Sequence, residues 1–539
     1  MLKKYKKKNR VWFAAAWLCI LISNLFAVTM QFFKGDVLDY AIQGEGQTTV
    51  KYAVLLFAFI LGEVSFYFMY NQFSARYIVG CTRCLKHDIF ERILRRSYVE
   101  FKDKQTGEYI AKYTNEADTI RSLHFSMLPV FWDILLKIVF VSIALFCLDF
   151  RIAIITLVLL TTPLYVPKLI EKQLQKTQTE YLQAVERNLA KVNDWLAGFE
   201  IIKNFSMERK IMEIFTESSN RAMEKMQKDR QLGAISQLMT TLISYLSYFI
   251  VLVCATWLVL SGVFTAGDFF VAIGMIDQLS YPLISLAGII RQLVAIKPAC
   301  ESMDKFLEAS QEPQPECCLR ELKSEIRFWD AAFSYDGQNP VLKSFHFTLQ
   351  KGKRYLLKGP SGCGKTTVVN LLLRYYDVDS GRLTVDGAPI ERYESTYDCV
   401  TVVRQEAVLF HDTLRNNLTM YRDIADEKLM QLLSDLGLDK YANAKALDSI
   451  VSENGSNFSG GEKKRICLGR ALLRNTDVII FDEPLANLDE ETARKIEDLL
   501  LKIEDLLLKI EDRTVLIVSH QFTVEKLDQF SQVYDFERR

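Results

Sequence analysis

Six long apolar runs constrain this chain more than any other feature. They lie roughly at 11–33, 51–73, 127–149, 152–170, 238–262 and 268–296. About 20 consecutive apolar residues in a helix cross a bilayer core. Inside lipid every backbone amide and carbonyl must be satisfied within the protein, so such runs are helical. Their recurrence with polar connections favours membrane crossings over the buried core of a soluble protein. The fourth run carries Pro163 and Pro167, which a spanning helix tolerates when neighbours satisfy the freed backbone groups.

Orientation follows from the placement of Lys and Arg. Lys3, Lys4, Lys6, Lys7, Lys8 and Arg10 directly precede the first run, which puts the N-terminus in the cytosol. Residues 36–50 contain Asp36, Asp39 and Glu45 but no Lys or Arg, and are expected outside. Arg76, Arg83, Lys86, Arg92, Arg95 and Arg96 place the stretch between the second and third runs inside. Six crossings then return the chain to the cytosol near residue 297. Two charged excursions reach far from the apolar runs, with expected tips at Glu100–Tyr109 and Glu200–Glu208.

Formal net charge is zero over 539 residues, so nothing marks a nucleic-acid partner. Eleven cysteines are scattered singly or in close pairs, as in a chain with reduced thiols. Cys81 and Cys84 have the C-x-x-C spacing, but no second pair lies nearby and their surroundings read as helix, which favours a structural role. The first apolar run reads as a retained span rather than a cleaved signal. No peptidase domain is expected before it.

Pro313, Pro315 and the Cys317-Cys318 pair mark 307–324 as a linker. From Glu325 the pattern changes to short strand-like runs, Ile326–Phe328, Phe345–Leu349 and Arg354–Leu357, followed by alternating helices and strands. That pattern is α/β. The expected organisation is a transmembrane domain at 1–306, the linker, and a nucleotide-binding domain at 325–539.

The chemistry starts at Gly359, Pro360, Ser361, Gly362, Cys363, Gly364, Lys365 and Thr366, a phosphate loop of the form G-x-x-x-x-G-K-[ST], followed by Thr367. It follows the strand Tyr355–Leu357 and precedes a helix. Loop amides and the helix N-terminus face phosphates. Lys365 reaches the β- and γ-phosphates of ATP, and the Thr366 hydroxyl ligates Mg2+. Downstream, Val478–Phe481 is an apolar strand ending in Asp482 and Glu483. Asp482 is expected to hold the metal through water and Glu483 to act as general base toward the attacking water.

Asn457-Phe458-Ser459-Gly460-Gly461-Glu462-Lys463-Lys464-Arg465 closely resembles the signature of ATP-binding cassette (ABC) proteins, with Phe458 and Glu462 where Leu and Gln are common. The order of motifs matches too, and six spans before one cassette is similar to the layout of a half-size exporter. The resemblance implies a mixed fold class: an all-α six-helix transmembrane domain followed by an α/β P-loop NTPase cassette. It also implies roles. Tyr335 stacks on adenine, and Gln405 senses Mg2+ and the γ-phosphate. Ser459, Gly460 and Gly461 bind the γ-phosphate held by the other subunit. Leu488-Asp489 forms the dimer loop, and His520 contacts the γ-phosphate and orients the catalytic water. Val451–Gly455 resembles the exporter segment that touches the cytosolic helix tips.

Because each signature serves the opposite subunit's nucleotide, a second half-transporter is required. The intact set of motifs favours a homodimer over pairing with a related half. The run Lys495–Leu501 recurs directly at 502–508, with a third copy begun at Lys509, which lengthens the interval between Asp489 and His520. Glu63, Asp133, Lys137, Asp277 and Arg291 fall within or near apolar runs, where charge is costly. With Tyr245, Tyr248, Tyr281, Gln278 and Gln292 they are candidates to line a path. The expected function is ATP-driven export of an amphipathic small molecule, lipid or peptide across the plasma membrane, bacterial by its half-size layout. The alternative is an ATP-gated channel or regulator that does not pump.

Overall fold

The computed structural model describes residues 2–162, 171–308, 318–360, 362–393, 395–486, 490–501, 513–520, 522 and 524–536. Two compact units emerge. One comprises Met1–Arg95 and Lys104–Ala309; the other comprises Arg96–Asp103 and Ser310–Arg539.

The first unit is helical: α1 Leu2–Lys8, α2 Arg10–Ile42 and α3 Gly46–Leu94. The eight residues of the second unit that follow include α4, Tyr98–Lys102. The first unit resumes with α5 Thr106–Leu148 and α6 Phe150–Thr161. It continues with α7 Glu171–Ala197, α8 Phe199–Asn204, α9 Glu208–Leu260, α10 Ala266–Ala295 and α11 Lys297–Glu308. Among the described residues, α2, α3, α5 and α9 are long and apolar enough to cross a membrane. At 1.5 Å per residue, α3 and α9 run about 70–80 Å, more than twice the ~30 Å hydrocarbon core. The apolar runs at 51–73 and 238–262 thus form only part of longer helices whose remainder mixes charged residues with apolar ones. The fourth run appears as the shorter apolar helix Phe150–Leu159. Pro163 and Pro167 lie outside the described residues, as do the side chains of Tyr281 and Arg291.

Among the described residues, two large apolar clusters and a smaller one around Ala16, Cys19, Ile20 and Tyr70 hold this unit together. Val28, Val141, Leu145, Val251, Met275 and Leu279 join α2, α5, α9 and α10. Tyr5, Tyr77, Leu85, Ile89, Phe125, Ile296 and Phe306 join α1, α3, α5 and α11. Tyr5 is 1% exposed, and its hydroxyl donates to Asp88 Oδ2 at 2.8 Å. Cys81 is fully buried in this second cluster, a structural place. Outward-facing Val54, Phe57, Phe68, Leu242, Phe249 and Trp257 leave a broad apolar surface. Such a surface suits lipid or another apolar helix rather than water. Between α2 and α5, buried Asn24 donates to Asp133 Oδ1 at 3.0 Å.

The second unit carries two sheets. β1 Glu325–Phe333, β2 Leu342–Gln350, β4 Ser380–Val385 and β5 Ala388–Pro389 form an antiparallel sheet ordered β2-β1-β4-β5. The other sheet is parallel, ordered β6-β7-β8-β3-β9. Its strands are β3 Arg354–Lys358, β6 Val400–Val403, β7 Val478–Asp482, β8 Thr514–Val518 and β9 Gln532–Asp535. β7 and β8 are buried along their whole length, as continuous apolar strands of a parallel sheet must be. Helix α12, Lys365–Leu372, follows β3. Helices α13 Leu414–Thr419, α14 Asp426–Asp435 and α15 Gly460–Arg474 share a leucine-rich core with β7 and β8. Helix α16, Glu490–Leu501, comes before β8. The repeat at 502–512 lies outside the described residues.

Candidate functional site

The carboxyl ends of parallel strands are where α/β sheets place ligands, and there the expected residues gather. β3 runs into the phosphate loop and α12. Gly359, Gly362 and Gly364 have φ of +156°, +82° and +105°, values that favour glycine. A Cβ on Gly359 would stand 2.8 Å from Phe536 Cβ and 2.9 Å from Cys363 Sγ. Lys365 is buried, and its ammonium donates to the carbonyls of Gly359 and Pro360 at 2.7 and 2.8 Å. Thr366 is exposed at the first turn of α12, while Thr367 is buried. Ser361 lies outside the described residues.

β7 delivers the two carboxylates. The Glu483 amide donates to Val518 O at 2.9 Å, which holds this residue at φ +51°. Left-handed backbone at a non-glycine residue costs about 1–2 kcal/mol and is commonly stored at functional sites. The Glu483 side chain stands between two nitrogen-bearing side chains: Oε1 is 3.6 Å from Lys365 Nζ and Oε2 is 2.7 Å from His520 Nδ1. Residues more than a hundred positions apart thus meet around one carboxylate.

Asp482 is 3% exposed. Its Oδ2 accepts from Arg404 Nη1 at 3.1 Å, whereas Oδ1 is buried without a hydrogen-bond partner. Burial raises the Asp482 carboxyl above its ordinary range, with Arg404 opposing. Asp482, Thr366 and Gln405 all line one cleft of about 1040 Å³. An unpartnered carboxylate oxygen, a hydroxyl and an amide carbonyl form a hard oxygen donor set that suits Mg2+.

Tyr335 is half exposed, packs against Phe333 and Tyr376, and its hydroxyl lies 3.2 Å from Thr367 Oγ1. Its ring therefore stands beside the first turn of α12, where a base stacked on it would place its phosphates toward the loop. The signature forms the start of α15. Ser459 is the N-cap: its Oγ accepts from the Glu462 amide at 3.3 Å, and Glu462 Oε2 accepts from the Ser459 amide at 2.8 Å. This capping box leaves Ser459 and Gly460 exposed at the positive end of a 15-residue helix, a ready anion site. Among the described residues no hydrogen bond or ion pair links Ser459, Gly460 or Gly461 to the phosphate loop. Leu488 and Asp489 lie outside the described residues.

A connected set of side chains beside these residues belongs to no sequence motif. Asn370 Oδ1 accepts from Arg404 Nη2 at 2.9 Å, and Asn370 Nδ2 donates to the Tyr335 hydroxyl at 3.3 Å. The Arg404 guanidinium lies 5.7 Å from the Tyr375 ring centre. The available signal was a cation directly before Gln405 at the end of β6.

Residues 13–283 match the family described as ABC transporter transmembrane region, and 342–486 match the family described as ABC transporter. An ATP-dependent lipid A-core flippase of Photobacterium profundum is 27% identical over 463 residues, covering 84% of this chain and 78% of that protein. A fatty acid ABC transporter ATP-binding/permease protein of Mycobacterium bovis is 26% identical over 411 residues, 75% of this chain and 65% of that one. The structure of a bacterial Atm1-family ABC exporter with ATP bound shares the fold, with a TM-score of 0.79 at 21% identity, covering 98% of this chain and 93% of that one.

Proposed function

Because this chain belongs to the ABC transporter family and has the exporter fold, we propose that it exports an amphipathic molecule as one half of a dimer, with a lipid or lipid-like compound as the leading cargo class. ATP-coupled export is the activity of the family; the cargo, the homodimer and the individual residue roles are the proposal. Lipid leads because relatives named for lipid A-core and fatty acids stand beside this chain, and small amphipathic molecules and peptides follow. The membrane is the plasma membrane, with the N-terminus and cassette cytosolic. The transmembrane domain spans 1–306 and the cassette 325–539, joined by the linker 307–324.

The observation that carries the hydrolytic part is the Glu483 carboxylate held between Lys365 and His520. In this reading Glu483 takes the proton of the attacking water, and His520 fixes the Glu483 side chain and meets the γ-phosphate. Lys365 leaves the loop carbonyls for the phosphates. Tyr335 stacks on adenine. Ser459, Gly460 and Gly461 present the α15 N-terminus to the nucleotide of the partner subunit, with Asp489 completing the dimer loop. Thr366, Asp482 and Gln405 hold Mg2+, which neutralises phosphate charge when bound.

Purified protein in sealed proteoliposomes, tested against a panel of fluorescent lipids, amphipathic drugs and peptides, separates the possibilities. ATP-dependent movement of a lipid probe against its gradient, with matching ATPase stimulation, supports the proposal. Conductance that follows ATP without accumulation of any probe would replace export with gating.

A further inference from the structure

The Asp482 carboxylate has an internal cation as partner, and that cation is wired to two other places. Arg404 reaches Asp482 Oδ2 with one terminal nitrogen and Asn370 Oδ1 with the other. Asn370 holds the hydroxyl of Tyr335. On its other side the guanidinium lies against the Tyr375 ring. Tyr375 stacks on Tyr98 of α4, with centroids 4.1 Å apart and planes 15° from parallel. One unbranched side chain thus touches the metal-binding carboxylate, the residue that steadies the base-stacking tyrosine, and an aromatic pair ending on a helix drawn from the distant Arg96–Asp103 segment.

Building on the nucleotide-site reading above, we propose that Arg404 is an exchangeable counter-ion of Asp482, released when Asp482 takes a divalent cation with ATP, and that its release loosens the Tyr375–Tyr98 stack and so reports metal–nucleotide binding to α4. The physical basis is competition. Asp482 lies in a buried pocket where two cations on one side of a carboxylate repel strongly. Oδ1 is the unpartnered oxygen, so a metal can engage it first and weaken the Oδ2 contact by repulsion. Once off the carboxylate, the guanidinium changes its position over Tyr375, and a cation–π contact is sensitive to such displacement. The Asn370 link couples the same movement to Tyr335. Gln405 follows Arg404 directly in the chain, so a metal-sensing role for Gln405 and release of Arg404 act in the same direction.

The test uses the full-length protein in lipid nanodiscs and a fluorescent, non-hydrolysable ATP analogue. Free Mg2+ is titrated and the half-saturating concentration for analogue binding is read. Removing the competitor in Arg404→Met should lower that concentration about fivefold, a modest factor because the guanidinium is partly solvent-exposed. Arg404→Lys keeps a cation and should stay near wild type. Hydrogen exchange of the peptide containing residues 98–102 should change on adding Mg2+ and analogue in wild type. It should be insensitive in both Arg404→Met and Tyr375→Leu, while Tyr375→Leu keeps the wild-type Mg2+ titration. Equal Mg2+ titrations for wild type and Arg404→Met, with normal binding at excess Mg2+, would overturn the competition. An α4 response preserved in Tyr375→Leu would overturn the aromatic relay. Failure of the wild type itself to bind the analogue would instead remove the nucleotide-site reading.

Discussion

Glu462 occupies the signature position where Gln is common, and the structure says what the difference should do. Its carboxylate has two separate jobs. Oε2 accepts the Ser459 amide at 2.8 Å within the capping box, and Oε1 meets Lys440 Nζ at 2.5 Å. Glu462→Gln retains an oxygen for the cap and loses the ion pair; with Lys440 exposed, that loss is small. Glu462→Ala loses both and leaves the Ser459 amide without its side-chain acceptor, which costs about 1–1.5 kcal/mol. That energy corresponds to roughly a tenfold loss in any equilibrium that needs the first turn of α15 in place.

On the role proposed for the signature, ATP-dependent dimer closure, measured by energy transfer between labelled subunits, would be such an equilibrium. Glu462→Gln should therefore close at nearly the wild-type ATP concentration, and Glu462→Ala at about ten times more. Acidity supplies a second check. Burial alone would raise the Glu462 carboxyl, but Lys440 and the Ser459 amide outweigh it and hold the group below its ordinary value. A depressed carboxylate stabilises the fold above its unfolded pKa near ~4.3, and that contribution is lost as pH falls through the folded value. The stability difference between wild type and Glu462→Gln should be full at neutral pH and fade below about pH 4. Equal impairment of the Gln and Ala variants would refute the capping argument and assign the effect to the ion pair.

Other outcomes follow from the same geometry. Glu483→Gln should still bind ATP but hydrolyse it about 100–10,000-fold more slowly, whereas Lys365→Ala should lose binding as well; ATPase assays paired with nucleotide binding distinguish them. Tyr5→Phe should cost about 1 kcal/mol through the Asp88 hydrogen bond and Tyr5→Ala about 3–5 kcal/mol through the cavity, read as progressively faster trypsin cleavage in the lysine-rich α1. Gly381 has φ +82°, and a Cβ there would lie 2.1 Å from the Asp330 carbonyl oxygen. Gly381→Ala should therefore disrupt β1–β4 pairing, seen as loss of monodisperse protein on size exclusion.

What could be read from the sequence was whatever chemistry demands at fixed spacing. The phosphate loop, the β7 carboxylates and the capped signature each lie within a few residues, so their local structure is written in one stretch. The strands Ile326–Phe328, Phe345–Leu349 and Arg354–Leu357 fall inside β1, β2 and β3 for the same reason. The Arg404 network stayed hidden because its members, Tyr98, Tyr335, Asn370, Tyr375, Arg404 and Asp482, are brought together only by folding. Tyr335 and Asp482 stand in motifs, but Tyr98, Asn370, Tyr375 and Arg404 are each unremarkable where they stand in the chain. The basic run at 3–10 misleads in a subtler way. Lys3, Lys4, Lys7 and Lys8 are exposed, but Lys6 is half-buried and Tyr5 beside it is buried and pins the segment to α3 and α5. Charge pattern reports the wet side of a short helix and says nothing of a single anchoring ring.

The membership of Arg96–Asp103 in the C-terminal unit has a consequence for biogenesis. A ribosome finishes these eight residues long before it makes the Tyr375 against which Tyr98 packs. The nascent helical unit must therefore wait, with α4 uncovered, until the cassette emerges and claims it. Splitting this polypeptide near residue 310 would give a C-terminal fragment missing a piece that was synthesised about 200 residues earlier.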